Sequence, residues 1–190
     1  MTLQEEALVA LARCLEEHRI SYMIIGGIAN AVWGEPRATL DIDVTVAADT
    51  SEVLEIAAAL ERDFRVLVSN PESFVQETRV LPLESRSGVR VDLIFGLLPF
   101  EREAIERAKL VHVAHEGVHF CTPEDLILLK IISRRDRDQA DVRGILRRRF
   151  PELDLEYLEP RIEELGNLLS RPEILESWSK WKAELDRSAE

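Results

Sequence analysis

No run of apolar residues in this 190-residue chain approaches the ~18 needed to cross a bilayer, so no transmembrane helix and no membrane partner are expected. The opening stretch, MTLQEEALVALARCLEEHR, carries acids early and lacks both a basic leader and a long apolar core, which argues against a secretory signal. Cysteine is scarce. Cys14 and Cys121 are too few and too far apart for a disulfide framework or a metal knuckle, and both read as inert core thiols of a cytoplasmic protein. Positive charge is in short supply as well: 24 basic against 36 acidic residues leave a net charge of −12, which should repel nucleic acid, so general DNA binding is not expected. The exception is local, with Arg134, Arg135, Arg137, Arg143, Arg147, Arg148 and Arg149 crowded into one segment. Such a run ordinarily forms a solvated helix face; a phosphate-binding surface is the alternative. Internal repeats, low-complexity tracts and Gly/Ser linkers are also missing.

What is present is a globular composition, 46% apolar and 32% charged, long enough for one domain with a smaller lobe. Leu8, Leu11, Ala12 and Leu15 give residues 3–18 helical spacing, and Tyr22 to Ile25 reads as a buried strand stopped by Gly26-Gly27. A short helix is expected over 28–34. From Leu40 to Val46 the pattern alternates, with Leu40, Ile42 and Val44 on one face and Asp41, Asp43 and Thr45 on the other. A helix capped by Thr50 or Ser51 follows to about Arg62, then strands at 64–68, 80–84 and 89–95, a helix at 100–108, and a hairpin over 109–120 turning at Glu116-Gly117. Thr122-Pro123-Glu124-Asp125 is a helix-start signature, and the pattern stays helical from there, broken only near Pro151 and Pro172. The expected fold class is α+β: a mixed β-sheet core flanked by helices over residues 1–121, followed by a C-terminal helical lobe over 122–190.

Asp41-Ile42-Asp43 is the most informative tripeptide. On a strand both carboxylates project from one side while Ile42 points to the buried side. Two like charges so close raise each other's pKa unless a cation neutralises them, and hard oxygen ligands suit Mg²⁺, or Mn²⁺ in its place. Asp92 adds a third acid to the otherwise apolar Val91-Asp92-Leu93-Ile94-Phe95, where an ionised group is costly unless it faces a site or a metal. If the two strands are neighbours, three carboxylates converge and could hold two metals about 3.5–4 Å apart. Gly26-Gly27, between a strand and a helix, lets backbone amides approach phosphate oxygens.

Ile25-Gly26-Gly27-x-Ala29 followed by Gly34-x-x-Arg37-x-Thr39-x-Asp41-Ile42-Asp43 resembles the polymerase-β-like nucleotidyltransferase superfamily, and in its spacing the AbiEii branch of toxin–antitoxin and phage-defence toxins. Asp92 matches the superfamily's third acid, and residues Thr122 to Lys130 resemble the helix that presents a lysine to the nucleotide. Arg135-x-Arg137-Asp138-x-x-Asp141 resembles its Arg-x-Lys-Asp-x-x-Asp motif, with arginine at 137 where lysine is usual, which keeps the charge but changes the geometry. The likeness spans roughly residues 20–147. It implies transfer of a nucleotide from an NTP (a reaction of the EC 2.7.7 type) to a tRNA 3′ end or a protein, with a cognate antitoxin as partner. Asp41, Asp43, Asp92 and Lys130 would then be catalytic, the three acids metal-binding, and Gly26, Gly27, Arg37, Thr39, Lys130 and Asp138 nucleotide-binding. Four residues have a structural alternative: Lys130 as a lysine snorkelling from a half-buried helix, Arg37 as a partner of Asp41 or Asp43, and Asp138 and Asp141 as helix-surface partners of the surrounding arginines.

His115-Glu116-Gly117-Val118-His119 spells the zinc-protease pattern H-E-x-x-H, whose chemistry requires a helix; Gly117 and the alternation of Val111, Val113, Val118 and Phe120 point to a hairpin instead. Two rival functions remain: a small-molecule, antibiotic-modifying nucleotidyltransferase, and a non-catalytic nucleotide-binding regulator on the same fold.

Overall fold

In the computed structural model, which describes residues 1–188, the chain divides into two compact units. The first comprises Met1–Ile28 and Ala38–Thr122, the second Ala29–Arg37 and the chain from Pro123 onward. The cut falls after Thr122, and the short stretch 29–37, placed with the sheet lobe from sequence, groups with the C-terminal helices.

The first unit is built on a seven-stranded mixed sheet in the order β3-β4-β5-β2-β1-β7-β6. Its strands are β1 (Tyr22–Ile25), β2 (Ile42–Val46), β3 (Phe64–Val66), β4 (Val80–Ser85), β5 (Arg90–Phe95), β6 (Lys109–Val113) and β7 (Glu116–Phe120). β2 sits at the centre, antiparallel to β1 and parallel to β5. Helix α1 (Leu3–Glu17) lays its Leu8, Leu11, Ala12 and Leu15 stripe against the core, the arrangement that 3.6-residue periodicity dictates. α2 (Gly26–Trp33) begins where β1 ends, so the diglycine forms its first turn rather than a loop ahead of it. α3 (Val53–Leu60), α4 (Pro71–Thr78) and α5 (Pro99–Glu106) complete this unit.

Four local expectations are corrected. β2 starts at Ile42, and Leu40, expected on the buried face, is 83% exposed. The cap before α3 is Asp49, which forms a capping box with Glu52 around a single 3-10 turn. α4, absent from the sequence reading, starts on Asn70 as cap with Pro71 at the first position. The β6–β7 hairpin turns at Ala114-His115, both at positive φ (48° and 75°), so Glu116 and Gly117 are strand residues. His115 and His119 therefore lie on a hairpin and not on one helix face.

The second unit carries α6 (Pro123–Ile131), α7 (Asp136–Arg149), α8 (Leu155–Leu168) and α9 (Glu173–Ser188). Leu126, Ile127, Val142, Ile145, Leu158, Ile162 and Ile174 form its core. Two buried acids brace it: Asp125 accepts from the Tyr157 hydroxyl at 2.6 Å, and Glu124 accepts from the Asp154 amide at 2.9 Å. Much of the arginine run is structural. Arg147 pairs with Glu35, Arg148 donates to the Gly34 carbonyl, and Arg149 lies over the Trp33 ring and pairs with Glu152.

The position of the β2 boundary is testable by urea unfolding. Ile42→Ala should cost about 3 kcal/mol as a core truncation, whereas Leu40→Ala should change stability by less than about 0.5 kcal/mol.

Candidate active site

Parallel pairing of β2 with β5 sets Ile42 opposite Val91, Asp43 opposite Asp92 and Val44 opposite Leu93. Ile42, Val44, Val91 and Leu93 are fully buried on one face, so by alternation Asp43 and Asp92 rise side by side from the other. Strands lie about 4.8 Å apart, close enough for like charges directly across to repel. The same cross-strand row places Pro82 of β4 beyond Asp92 and Ile25 of β1 beyond Asp43, which leaves the two acids between apolar neighbours. The Asp92 carboxyl is pushed above the usual carboxylate range, first by burial and then by the charge of Asp41, with Arg90 opposing.

The diglycine is fitted to these acids. Gly26 has φ +67°, and a Cβ there would fall 1.9 Å from Asp43 Oδ2. At Gly27 a Cβ would fall 2.5 Å from Thr39 Oγ1. Both acid and hydroxyl thus lie against the first turn of α2, whose backbone N–H groups have no partner within the helix.

The expected trio is only partly gathered. Asp41 precedes β2, exposed and in a bend, so strand alternation does not aim its side chain. Among the described residues, no group of three or more His, Cys, Asp or Glu is arranged to hold a metal ion. Asp43 and Asp92 form an in-register pair, and Asp41 lies near enough to act on Asp92 by charge. The donor set still fits a hard divalent cation: it consists of carboxylate oxygens, and Asp92 carries a repulsive cost that a cation would relieve.

The remaining candidates assemble in the second unit. Arg37 clasps Asp141 through two parallel bonds, Nε to Oδ1 and Nη2 to Oδ2, both 2.9 Å. Lys130 Nζ, 7% exposed, donates to Asp141 Oδ2 at 2.7 Å and to Asp138 Oδ1 at 3.0 Å. Ser133 Oγ donates to the other Asp138 oxygen at 2.7 Å. Lys130 does not snorkel to water, and the cation clasping Asp141 comes from residue 37 rather than from the α7 arginines. Burial would raise both carboxyls, but hydrogen bonds outweigh it and hold them below the usual range: from Arg37 and Lys130 at Asp141, from Ser133 and Lys130 at Asp138. Sequence reasoning missed Ser133, which carries no local signal, and Asp141 is signalled only by its i, i+3 spacing from Asp138 within the motif.

Two substitutions test these contacts. Gly26→Ala should destabilise by more than Gly88→Ala, which shares a positive φ but has open space around its Cβ position. The latter isolates the backbone cost, about 1 kcal/mol; the excess at Gly26 reports the Asp43 carboxylate and should show in chemical denaturation. Asp141→Asn should cost about 3 kcal/mol at pH 7 because it removes the buried carboxylate charge shared by Arg37 and Lys130. A carboxyl lowered on folding stabilises above its unfolded pKa of about 3.9 and loses that contribution as pH falls through the folded value. The wild type should therefore weaken steeply below about pH 4, and Asp141→Asn less so, in urea midpoints compared between pH 7 and pH 3.

Solved structures of similar architecture are nucleotidyltransferases at low identity. An antigenic nucleotidyltransferase-like protein from Paracoccidioides brasiliensis superposes with a TM-score of 0.57 at 16% identity, covering 91% of this chain and 90% of that one. The antibiotic-resistance factor ANT(2'')-Ia gives 0.61 at 14% identity over 90% and 95% of the two chains, and the lincosamide adenylyltransferase LnuA 0.51 at 15% over 76% and 96%. At these identities the likeness shows the fold. No curated protein matches the sequence. Residues 2–184, nearly the whole chain, match the family described as "Nucleotidyltransferase of unknown function (DUF6036)", and the chain belongs to that family of transferases.

Proposed function

We propose that this protein transfers a nucleoside monophosphate from an NTP to an acceptor hydroxyl. The register of Asp43 against Asp92 beside Gly26 is the observation that carries this reading. Asp41, Asp43 and Asp92 would hold Mg²⁺ or Mn²⁺, which when bound supplies positive charge against the phosphates. Asp92, its proton affinity already raised by burial and by Asp41, accepts the acceptor's proton. The freed oxygen bonds to the α-phosphorus as the bond to pyrophosphate breaks. The amides of Gly26 and Gly27, in the first turn of α2, bind phosphate oxygens, and Thr39 lies against that turn. Arg37, Lys130 and Asp138, in the second unit, are proposed to bind nucleotide on the likeness of their motifs. Because they are committed to Asp141 and to one another, a contact role predicts a raised KM for NTP in Lys130→Met, and a scaffold role a lowered Tm with KM unchanged.

For the acceptor, the AbiEii-like spacing from Arg37 to Asp43 supports a tRNA 3′ end or a protein, in a cytoplasmic toxin restrained by an antitoxin. The likeness to ANT(2'')-Ia and LnuA, over 90% and 76% of this chain, supports a second reading, a small-molecule acceptor of the antibiotic class. No helix among the described residues is long and apolar enough to cross a membrane.

Incubating the protein with each α-labelled NTP, Mg²⁺ and, separately, total tRNA, cell protein or a panel of antibiotics will show which species gains label. Asp43→Ala should lower labelling about a thousandfold, the rate equivalent of several kcal/mol of lost charge stabilisation. Equal labelling by Asp43→Ala would refute the site. Failure of the wild type to label anything would favour a non-catalytic regulator.

A further inference from the structure

Asp41 is the acid that the sheet leaves unfixed. The β2 ladder opens at Ile42 against Val91, and Asp41 lies in a bend ahead of it, outside the ladder. The backbone just before it is held instead from α1: Gln4 Nε2 donates to the Thr39 carbonyl at 3.0 Å, a bond that spans 35 residues of chain. Thr39 in turn lies against Gly27, and its hydroxyl points to the Asp41 carbonyl at 3.5 Å.

The turn carrying Gln4 is itself locked. Thr2 Oγ1 accepts from the Glu5 amide at 3.1 Å and Glu5 Oε2 accepts from the Thr2 amide at 2.7 Å, a reciprocal capping box. Leu3, in the same turn, is 59% exposed, so apolar burial does not anchor this end of the helix. The cap holds this turn, and the Gln4 bond joins it to the backbone two residues before Asp41.

Resting on the carboxylate-site reading above, we propose that Gln4 is a positioning residue for the metal site, fixing Asp41 through the Thr39 carbonyl. Outer-shell partners of metal ligands typically control affinity by 10–100-fold. The test is direct Mn²⁺ binding, followed by electron paramagnetic resonance on the full chain without nucleotide. Gln4→Met, of similar length but without a donor, should bind Mn²⁺ about tenfold more weakly, with an unchanged Tm. Gln4→His, which keeps a donor at similar reach, should retain wild-type affinity at pH 8, and Leu3→Gln should bind as the wild type does. Wild-type affinity in Gln4→Met, while Asp43→Asn has lost binding, would overturn the role of Gln4 alone. So would equal weakening in Leu3→Gln, or no recovery in Gln4→His. Absence of Mn²⁺ binding by the wild type is a separate result, and it would remove the carboxylate-site reading together with this one.

Discussion

Two carboxylates from neighbouring strands stand side by side on one face of a sheet whose other face is filled with Ile42, Val44, Val91 and Leu93. This is the constraint around which the rest of the first unit is arranged. The apolar face fixes the register, because a slip of one residue would turn both acids into the core. Once fixed, the register sets like charges side by side; the Asp92 carboxyl is raised, first by burial and then by the charge of Asp41. A protein retains such a pair where a cation or a reacting proton makes use of it. The glycine at 26 belongs to the same constraint, since any side chain there would collide with Asp43.

The second unit solves the opposite problem. Arg37, Lys130, Asp138 and Asp141 are two cations and two anions, largely buried and mutually bonded, so charge is balanced internally. Such a network contributes less to stability than to uniqueness of arrangement, because removing one partner is far costlier than the net worth of the set. It also ties residue 37 to α6 and α7, which explains why the stretch 29–37 groups with helices remote in sequence.

Much of this was legible from sequence where local periodicity governs. The α1 stripe, the β1 run ending at the diglycine and the helix start at Thr122-Pro123 each carry their own signal, and the alternation around Ile42 and Val91 predicted the face of Asp43 and Asp92 but not of Asp41, which lies ahead of the strand. The start of β2 was not legible, because Leu40 fits the alternation yet has no ladder partner; only pairing with β5 ends the strand at Ile42. The hairpin turn was misplaced because Gly117 looks like a turn residue, whereas Ala114 and His115 adopt the positive φ angles. The Gln4–Thr39 bond and the partner of Arg37 lie 35 and 104 residues apart in the chain, a separation that no local pattern encodes.

The central claim is that Asp43 and Asp92 repel one another and that a divalent cation relieves the repulsion. Thermal unfolding at neutral pH, titrated with Mg²⁺, measures both halves at once. The account predicts that Mg²⁺ raises the wild-type Tm, and that Asp43→Asn/Asp92→Asn melts higher than the wild type without Mg²⁺ and does not respond to it. A wild-type Tm indifferent to Mg²⁺, or a double variant less stable than the wild type in its absence, would contradict it.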